Sequence, residues 1–200
     1  MLSDAELLQS WSQGDTDAGE ELFERHYEGV AAFFRTKARD HAAELSQKTF
    51  LACIESLPRF RGEGSFRSYL YGIAYRQLQR HYRNLSRDER IDFGLSTVEN
   101  LDPTPSKILA AEDDEQQLLA ALRRIPVEHQ VVLELYYWQE LTTAQCAEVL
   151  EIPHSTIKSR LQRARKLLEE QLEAGGQSPA QVEETLSGLI AWSERVRAQA

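Results

Sequence analysis

The sequence predicts an all-α protein, two small helical domains joined by a flexible acidic linker, with a helix-turn-helix in the second. Three observations carry that expectation. Apolar residues recur at spacings of three and four rather than two almost throughout the chain. From about Asn84 to Lys107 that periodicity fades, Asp, Ser, Asn and Thr accumulate, and Pro103 and Pro105 forbid helix. The 200 residues, 42% hydrophobic and 28% charged, can form one domain or two small ones with proper cores. The division expected is a first domain over 1–87, a linker over 88–108, a second domain over 109–173 and an amphipathic helical extension over 174–200.

In "DAGEELFERHYEGVAAFFRTKA", Leu22, Tyr27, Val30 and Phe34 fall roughly on one stripe, and in "AAELSQKTFLACIESL" Leu45, Thr49, Ala52 and Cys53 fall on another. Pro58 closes the second of these helices. After a loop with Gly62 and Gly64, Ser65 can cap a long helix whose inward face is Phe66, Tyr69, Leu70, Ile73 and Ala74. Beyond the linker, helices are expected from about Leu109 to Arg124 and from Pro126 to Trp138, with two more running through "LTTAQCAEVLEIPHSTIKSRLQRARKLLEEQL". In the tail a Gly-Gly break precedes Ser178 as a cap, Pro179 in the first turn, and Val182, Leu186, Leu189 and Ile190 on one stripe.

The net charge is -9, but the acids are unevenly spread. Residues 1–28 hold eight acids against Arg25, and 99–115 hold six against Lys107. Two basic islands interrupt this background. One is "PRFRGEGSFRSYLYGIAYRQLQRHYR" (58–83), with Arg59, Arg61, Arg67, Arg76, Arg80 and Arg83 against Glu63; the other, His154 to Lys166, carries five basic residues and no acid. Two separated patches suggest two contacts with a polyanion.

The second island has the layout of a helix-turn-helix. Thr142 with Gln145 makes a capping box, Cys146, Val149 and Leu150 supply the buried face of a short first helix, Glu151 and Ile152 form the turn, and Pro153 starts the second helix. Ile157, Leu161, Ala164 and Leu168 stack inward, which leaves Ser155, Lys158, Ser159, Gln162, Arg163 and Lys166 outward. Those residue types can read a major groove: Lys and Arg for guanine edges and phosphates, Ser and Gln for adaptable base contacts. Without the rest of the chain, a solvated basic face would explain them too.

The first island asks for something other than duplex. Splayed bases are held by aromatic stacking and by arginines along the backbone, and here Phe60, Phe66, Tyr69, Tyr71, Tyr75 and Tyr82 are interleaved with the arginines. About four of these six aromatics are expected in the core.

Several function classes recede. The early apolar stretch is broken by Asp4, Glu6, Asp15 and Asp17, so neither a leader peptide nor a membrane span is expected, and a cytoplasmic location follows by default. Cys53 and Cys146 lack a second Cys or His at metal-ligand spacing and read as core thiols; no metal and no cofactor are expected. No paired carboxylates, nucleophile with base, or phosphate loop suggests an enzyme. A two-domain regulator working on duplex operators would explain the second island but not the first. An interaction protein with vestigial DNA binding is disfavoured by two intact basic faces.

These motifs together resemble a bacterial extracytoplasmic-function (ECF) sigma factor of the sigma-70 family, over about residues 5–172. "LFERHYEGVAAFF" resembles the start of sigma region 2, and "ELSQKTFLACIESLPRFRGEGSFRSYLYGIA" its polymerase-binding helix and promoter-melting segment. "LRRIPVEHQVVLELYYWQELTTAQCAEVLEIPHSTIKSRLQRARKLL" resembles region 4. The resemblance implies that the first domain binds core RNA polymerase through Glu44, Gln47, Lys48 and Leu51. It implies that single-stranded minus-10 DNA is held by the loop containing Arg61, Glu63 and Ser65, with Arg76 and Arg80 on the adjoining helix. Duplex minus-35 DNA would meet Ser155, Thr156, Lys158, Ser159, Gln162, Arg163 and Lys166, with Arg160 and Arg165 nearer phosphate. It places the linker near the polymerase active-site cleft.

Three departures stand out. Many ECF factors carry an acidic cluster where this chain has "HAAELSQK" (41–48): Glu44 remains, three acids are absent and Lys48 reverses a sign, which should weaken polymerase binding. In some groups a serine/threonine kinase restores such charge, which would point to Ser46 or Thr49, with Asp at either position strengthening polymerase binding. Arg76 stands where many relatives have Asn. Glu151 occupies a turn position where Gly is usual, and strain follows if it is left-handed. The tail beyond Glu173 lies outside the resemblance and reads either as a cap on region 4 or as a regulatory segment taking the place of, or binding, an anti-sigma partner.

Overall fold

The computed structural model describes residues 2–60, 64–85, 91–101 and 113–189; among these, the only strand-like pairing is one isolated bridge between Thr97 and Pro126. The chain opens with α1 (Asp4–Ser12), whose start is fixed by a Ser3–Glu6 capping box. Asp15 then caps α2 (Thr16–Arg35) by accepting from the amides of Asp17 and Ala18. A short 3-10 turn (Arg39–His41) leads into α3 (Ala42–Ser56), and a second one (Leu57–Arg59) containing Pro58 closes it. Then comes α4 (Phe66–Leu85), with the Ser65 hydroxyl accepting from the Ser68 amide at 3.1 Å.

These four helices pack on one another. Leu22, Val30, Phe34, Leu45, Thr49, Cys53, Phe66, Leu70, Ile73 and Ala74 are buried as expected. Tyr27 is not: it is 49% exposed, because α2 is covered by α1, α3 and α4 along a stripe of Leu22, His26, Val30, Phe33 and Phe34, leaving Tyr27 on the flank against Phe50. Where α1 crosses α2, Gly19 allows the approach, since a Cβ there would lie 2.8 Å from the Trp11 indole.

Residues 91–101, expected within a flexible linker, pack against both helical groups. Phe93 stacks near Tyr82, its carbonyl accepts from the Glu128 amide at 3.1 Å, and Val98 in α5 (Val98–Leu101) is fully buried. Three apolar side chains, Ile91, Phe93 and Val98, outweigh the polar composition around them. Pro103 and Pro105 and the start expected at Leu109 lie outside the described residues.

The second helical group is α6 (Asp113–Arg124), α7 (Val127–Leu133) continued by a π turn (Glu134–Trp138), α8 (Thr143–Leu150), α9 (His154–Ala174) and α10 (Pro179–Ser187). Leu118, Leu122, Val131, Leu135, Cys146, Ile157 and Leu168 form its centre. The Gly-Gly break turns the chain at Gly176, φ +97°, and a Ser178–Gln181 capping box starts α10. Val182, Leu186 and Leu189 are buried, and the Trp138 indole donates to the Leu189 carbonyl at 2.9 Å. The tail is therefore packed onto the second group as far as Leu189; Ile190 lies outside the described residues.

No described helix is long and apolar enough to cross a membrane.

Truncating a buried leucine leaves a cavity and removes transferred area, which together cost about 2–5 kcal/mol. Leu186→Ala should lower unfolding stability by about 2–3 kcal/mol in a urea titration, at the modest end of that range because one side of α10 faces solvent.

Candidate nucleic-acid interface

The helix-turn-helix forms as its sequence suggests. The Thr142 amide donates to Gln145 Oε1 at 2.8 Å and the Gln145 amide to Thr142 Oγ1 at 3.2 Å, and Cys146, Val149 and Leu150 are buried. Pro153 is the N-cap of α9, not its first helical residue, with ψ 136°; it still leaves no orphaned amide. Glu151 is left-handed, φ 55° and ψ 41°, and Glu140 at φ 52° is the other non-glycine with positive φ among the described residues.

Ser155, Lys158, Ser159, Gln162, Arg163 and Lys166 share one exposed face of α9, while Thr156 is half-buried. Arg160 is different. Its side chain is 17% exposed and pairs with Glu128 at 2.8 Å, so it ties α9 to α7 rather than pointing outward. Arg165, beside it, donates to the Tyr137 hydroxyl at 2.9 Å. Under α9, burial together with Arg160 and Arg163 pushes the His129 imidazole down to about 4.

On α4, Phe66, Tyr71, Tyr75 and Tyr82 are buried, while Phe60 and Tyr69 are half-buried with ring centroids 4.5 Å apart. Four of the six aromatics are thus in the core. Arg76, Arg80 and Arg83 are exposed along one side of α4, and with Ala52, Glu55 and Ile73 they line an open cleft of about 790 Å³ between α3 and α4. Arg61 and Glu63 lie outside the described residues. Ser65 and Arg76, however, are engaged by the second helical group: Gln145 Nε2 donates to Ser65 Oγ at 2.8 Å, and Arg76 pairs with Glu151 at 2.9 Å. Ser68 donates to Glu148 at 3.1 Å, and Arg67 to the Gln139 carbonyl at 3.0 Å.

Beneath these contacts lies a pair that sequence reading did not single out. Lys37 and Glu134, 0% and 1% exposed, form a salt bridge between the end of α2 and the π turn. Thr36 and Gln130 each donate to Glu134 Oε1 at 3.0 Å, and Lys37 Nζ donates to the Phe33 carbonyl at 2.9 Å. Burial pushes the Lys37 ammonium down to about 8, against the opposing pull of Glu134. Removing one partner of such a pair strands the other charge, at about 3–5 kcal/mol, whereas the exposed Arg76–Glu151 pair is worth about 0–1 kcal/mol. Each residue alone looks like an ordinary helix-surface charge; only the meeting of two segments 97 residues apart makes the site.

On α3, Glu44, Gln47, Lys48 and Leu51 all face outward, with Leu51 joined by the exposed Ile54 and, from α2, Tyr27. Lys48 Nζ sits 2.5 Å from Glu44, cancelling the acid that remains there. Ser46 and Thr49 contradict the idea of a kinase site. Both are fully buried, and their hydroxyls donate to the Ala42 and Leu45 carbonyls at 2.7 Å. At helical spacing they share the inward stripe with Leu45 and Cys53, so phosphorylation would require α3 to leave the core.

Residues 22–88 match the family described as Sigma-70 region 2, and residues 115–168 match Sigma-70, region 4. RNA polymerase sigma factor YlaC of Bacillus subtilis is 33% identical over 156 residues, spanning 74% of this chain and 88% of that protein. The ECF RNA polymerase sigma-E factor of Haemophilus influenzae is 25% identical over 182 residues, 86% of this chain and 96% of that protein. Among solved structures, CnrH in complex with the cytosolic domain of CnrY superposes with a TM-score of 0.62 at 21% identity, covering 86% of this chain and 97% of that one. The sigma factor RpoE in complex with the anti-sigma factor NepR, from Bartonella quintana, gives 0.58 at 20% identity, covering 77% and 96%.

Three outcomes are expected. Ser46→Asp or Thr49→Asp places an unpaired carboxylate in the core and should lower the melting temperature without strengthening polymerase binding. Glu151→Gly relieves a left-handed side chain and should raise stability by about 0.5–1 kcal/mol in thermal unfolding. For His129 the folded chain resists protonation down to about 4, below the ordinary 6.5, so the unfolded chain takes up the proton first as pH falls. Stability should drop between those values; His26, held low by burial, adds to the same trend, and His129→Gln should flatten part of the slope.

Proposed function

Because the chain belongs to the sigma-70 family of RNA polymerase sigma factors, in its extracytoplasmic-function branch, we propose that it brings core RNA polymerase to promoters by reading duplex minus-35 DNA with α9 and holding single-stranded minus-10 DNA on α4. The observation that carries this reading is the pairing, in one chain, of an exposed recognition-type face on α9 with an arginine-lined face on α4. A free duplex regulator needs the first face alone.

Lys158 and Arg163 supply cations toward guanine edges or phosphate, and Ser155, Ser159 and Gln162 supply adaptable donors and acceptors. Lys166 reaches phosphate further along the groove, Thr156 sits at the edge of the face, and Arg160 holds α9 to Glu128 so that the face is presented at a set angle. On the minus-10 side, Arg76 and Arg80 follow the single strand, with Ser65 and the adjoining Arg61 and Glu63 at the base. Glu44, Gln47, Lys48 and Leu51, extended by Tyr27 and Ile54, form the surface for core polymerase. The chain carries no chemistry of its own in this role and acts where polymerase acts, in the cytoplasm. An anti-sigma factor is the expected regulator, by analogy with the complex in which RpoE of Bartonella quintana was solved with the anti-sigma factor NepR.

The experiment is run-off transcription by core polymerase across a genomic promoter library, with and without the chain. A set of promoters transcribed only in its presence is expected; none at all would refute the reading. On such promoters, Lys158→Ala with Gln162→Ala should reduce transcription roughly tenfold or more, since a base contact is worth about 1–3 kcal/mol, and changes to the minus-35 sequence should then matter less.

A further inference from the structure

We propose that residues 92–101, which the sequence places in a linker, are the splint that sets the angle of the recognition helix, and that Glu128 is the positioning residue through which they act on α9. This rests on the reading of α9 as the minus-35 helix and deepens it by naming residues that fix its register without touching DNA.

The splint meets a helix start that lacks a cap of its own. α7 is seven residues long, and its N-cap is Pro126, whose side chain has nothing to offer the open amides of the first turn. Two carbonyls of the splint take that place: Ser96 accepts from the Val127 amide at 2.9 Å and Phe93 from the Glu128 amide at 3.1 Å, beside the bridge between Thr97 and Pro126. The splint also has a fixed shape. The Asp92 carboxylate accepts from the Gly94 amide at 2.8 Å, the Asp92 carbonyl accepts from the Leu95 and Ser96 amides at 3.0 and 2.7 Å, and Val98 is fully buried. Further along, Glu99 pairs with Arg124 at the end of α6 at 3.6 Å.

Glu128 is where this turn reaches α9. Its amide is held by Phe93, and its carboxylate makes the 2.8 Å pair with Arg160, which withdraws that cation onto α7. The same carboxylate lies close over the turn. A Cβ on Gly94 would come within 3.2 Å of Glu128 Oε1 and 3.1 Å of Asp92 Oδ1, so the bare backbone at Gly94 leaves the carboxylate room to stand where it meets Arg160. One residue therefore carries a backbone bond to the splint and a side-chain bond to the recognition helix. Lys158, Ser159, Gln162 and Arg163 lie within one turn of Arg160, so any roll of α9 about that pair moves all four exposed side chains against a groove. Base contacts hold only when the side chains are placed to within about 0.5 Å, whereas a cation near phosphate tolerates more, so the splint acts on base discrimination.

The test uses the full chain with core polymerase on two promoters drawn from the run-off set, alike in their minus-10 element, one with its own minus-35 element and one with that element altered. The readout is the ratio of run-off transcription from the two. Glu128→Gln, Arg160→Gln and Gly94→Ala should each lower the ratio by about fivefold or more, the size of one lost base contact. The exchange Glu128→Arg with Arg160→Glu should recover about half of the loss or more, which a general weakening of the fold would not allow. Salt dependence separates positioning from contact: a cation on phosphate carries about one unit of the salt slope, and Arg160→Gln should leave the slope unchanged. If Arg160→Gln lowers the slope by about one while Glu128→Gln and Gly94→Ala keep the ratio, Arg160 is a phosphate contact and the proposal is overturned. Equal loss from both promoters, with lower stability in urea and no recovery in the exchange, would reduce the pair to a structural one and overturn it too. A parent chain that transcribes both promoters equally would refute the reading of α9 and the splint with it, whereas a discriminating parent with unchanged variants refutes the splint alone.

Discussion

Lys37 and Glu134 are the two charges on which the arrangement of the molecule turns. Neither reaches solvent, they come from opposite halves of the chain, and each has its remaining hydrogen bonds completed by neighbours: Phe33 and Thr36 for the ammonium, Thr36 and Gln130 for the carboxylate. A buried ion pair adds little net stability over a well-packed apolar pair of the same size, but it tolerates no slippage. Here it sits where α2, the π turn and α7 converge. The π turn itself follows from this: widening the helix at Glu134–Trp138 lets Glu134 face α2 while Trp138 stays buried and holds Leu189.

From that anchor the outer contacts follow. With α2 and the π turn registered, Gly29 lies where a Cβ would come within 2.7 Å of the Tyr71 hydroxyl and 3.1 Å of Gln139, so only glycine permits the approach. The α8 helix is then laid along the start of α4, and Gln145, Glu148 and Glu151 meet Ser65, Ser68 and Arg76 in order. The acids of α8 and its turn come to lie against the first basic island, on the start of α4. Glu151 stands opposite the Arg76 guanidinium and Glu148 opposite the Ser68 hydroxyl. A net charge of -9 makes the remaining surface repel a polyanion, so the exposed cations of α4 and α9 stand out against it.

Much of this was legible in the residues. Capping boxes at Thr142–Gln145 and Ser178–Gln181, the Gly-Gly break and the inward stripes of α3, α4 and α9 are local, and local rules suffice because each depends on spacing within one or two turns. The Ser3–Glu6 box specifies the start of α1 by the same local rule. Where expectation and structure part, a distant partner is the cause. Tyr27 is exposed because three helices, not one, set the inward side of α2. Ser46 and Thr49 are polar by name but lie on the buried stripe, where each satisfies its hydroxyl on a carbonyl one turn back. Arg160 is drawn in by Glu128, and residues 91–101 are pinned by Phe93 and Val98 despite a polar surrounding.

The sequence by itself determined the helices, the recognition face of α9, the arginine side of α4 and the family to which they belong, because periodicity, caps and one-sided charge are properties of single segments. Only the tertiary structure decided that α8 and its turn are laid against the start of α4, that Glu148 meets Ser68 and Glu151 meets Arg76, and that Lys37 meets Glu134. The physical reason is that pairing between segments depends on burial and on which charges find partners. Those quantities exist only once the chain has closed on itself.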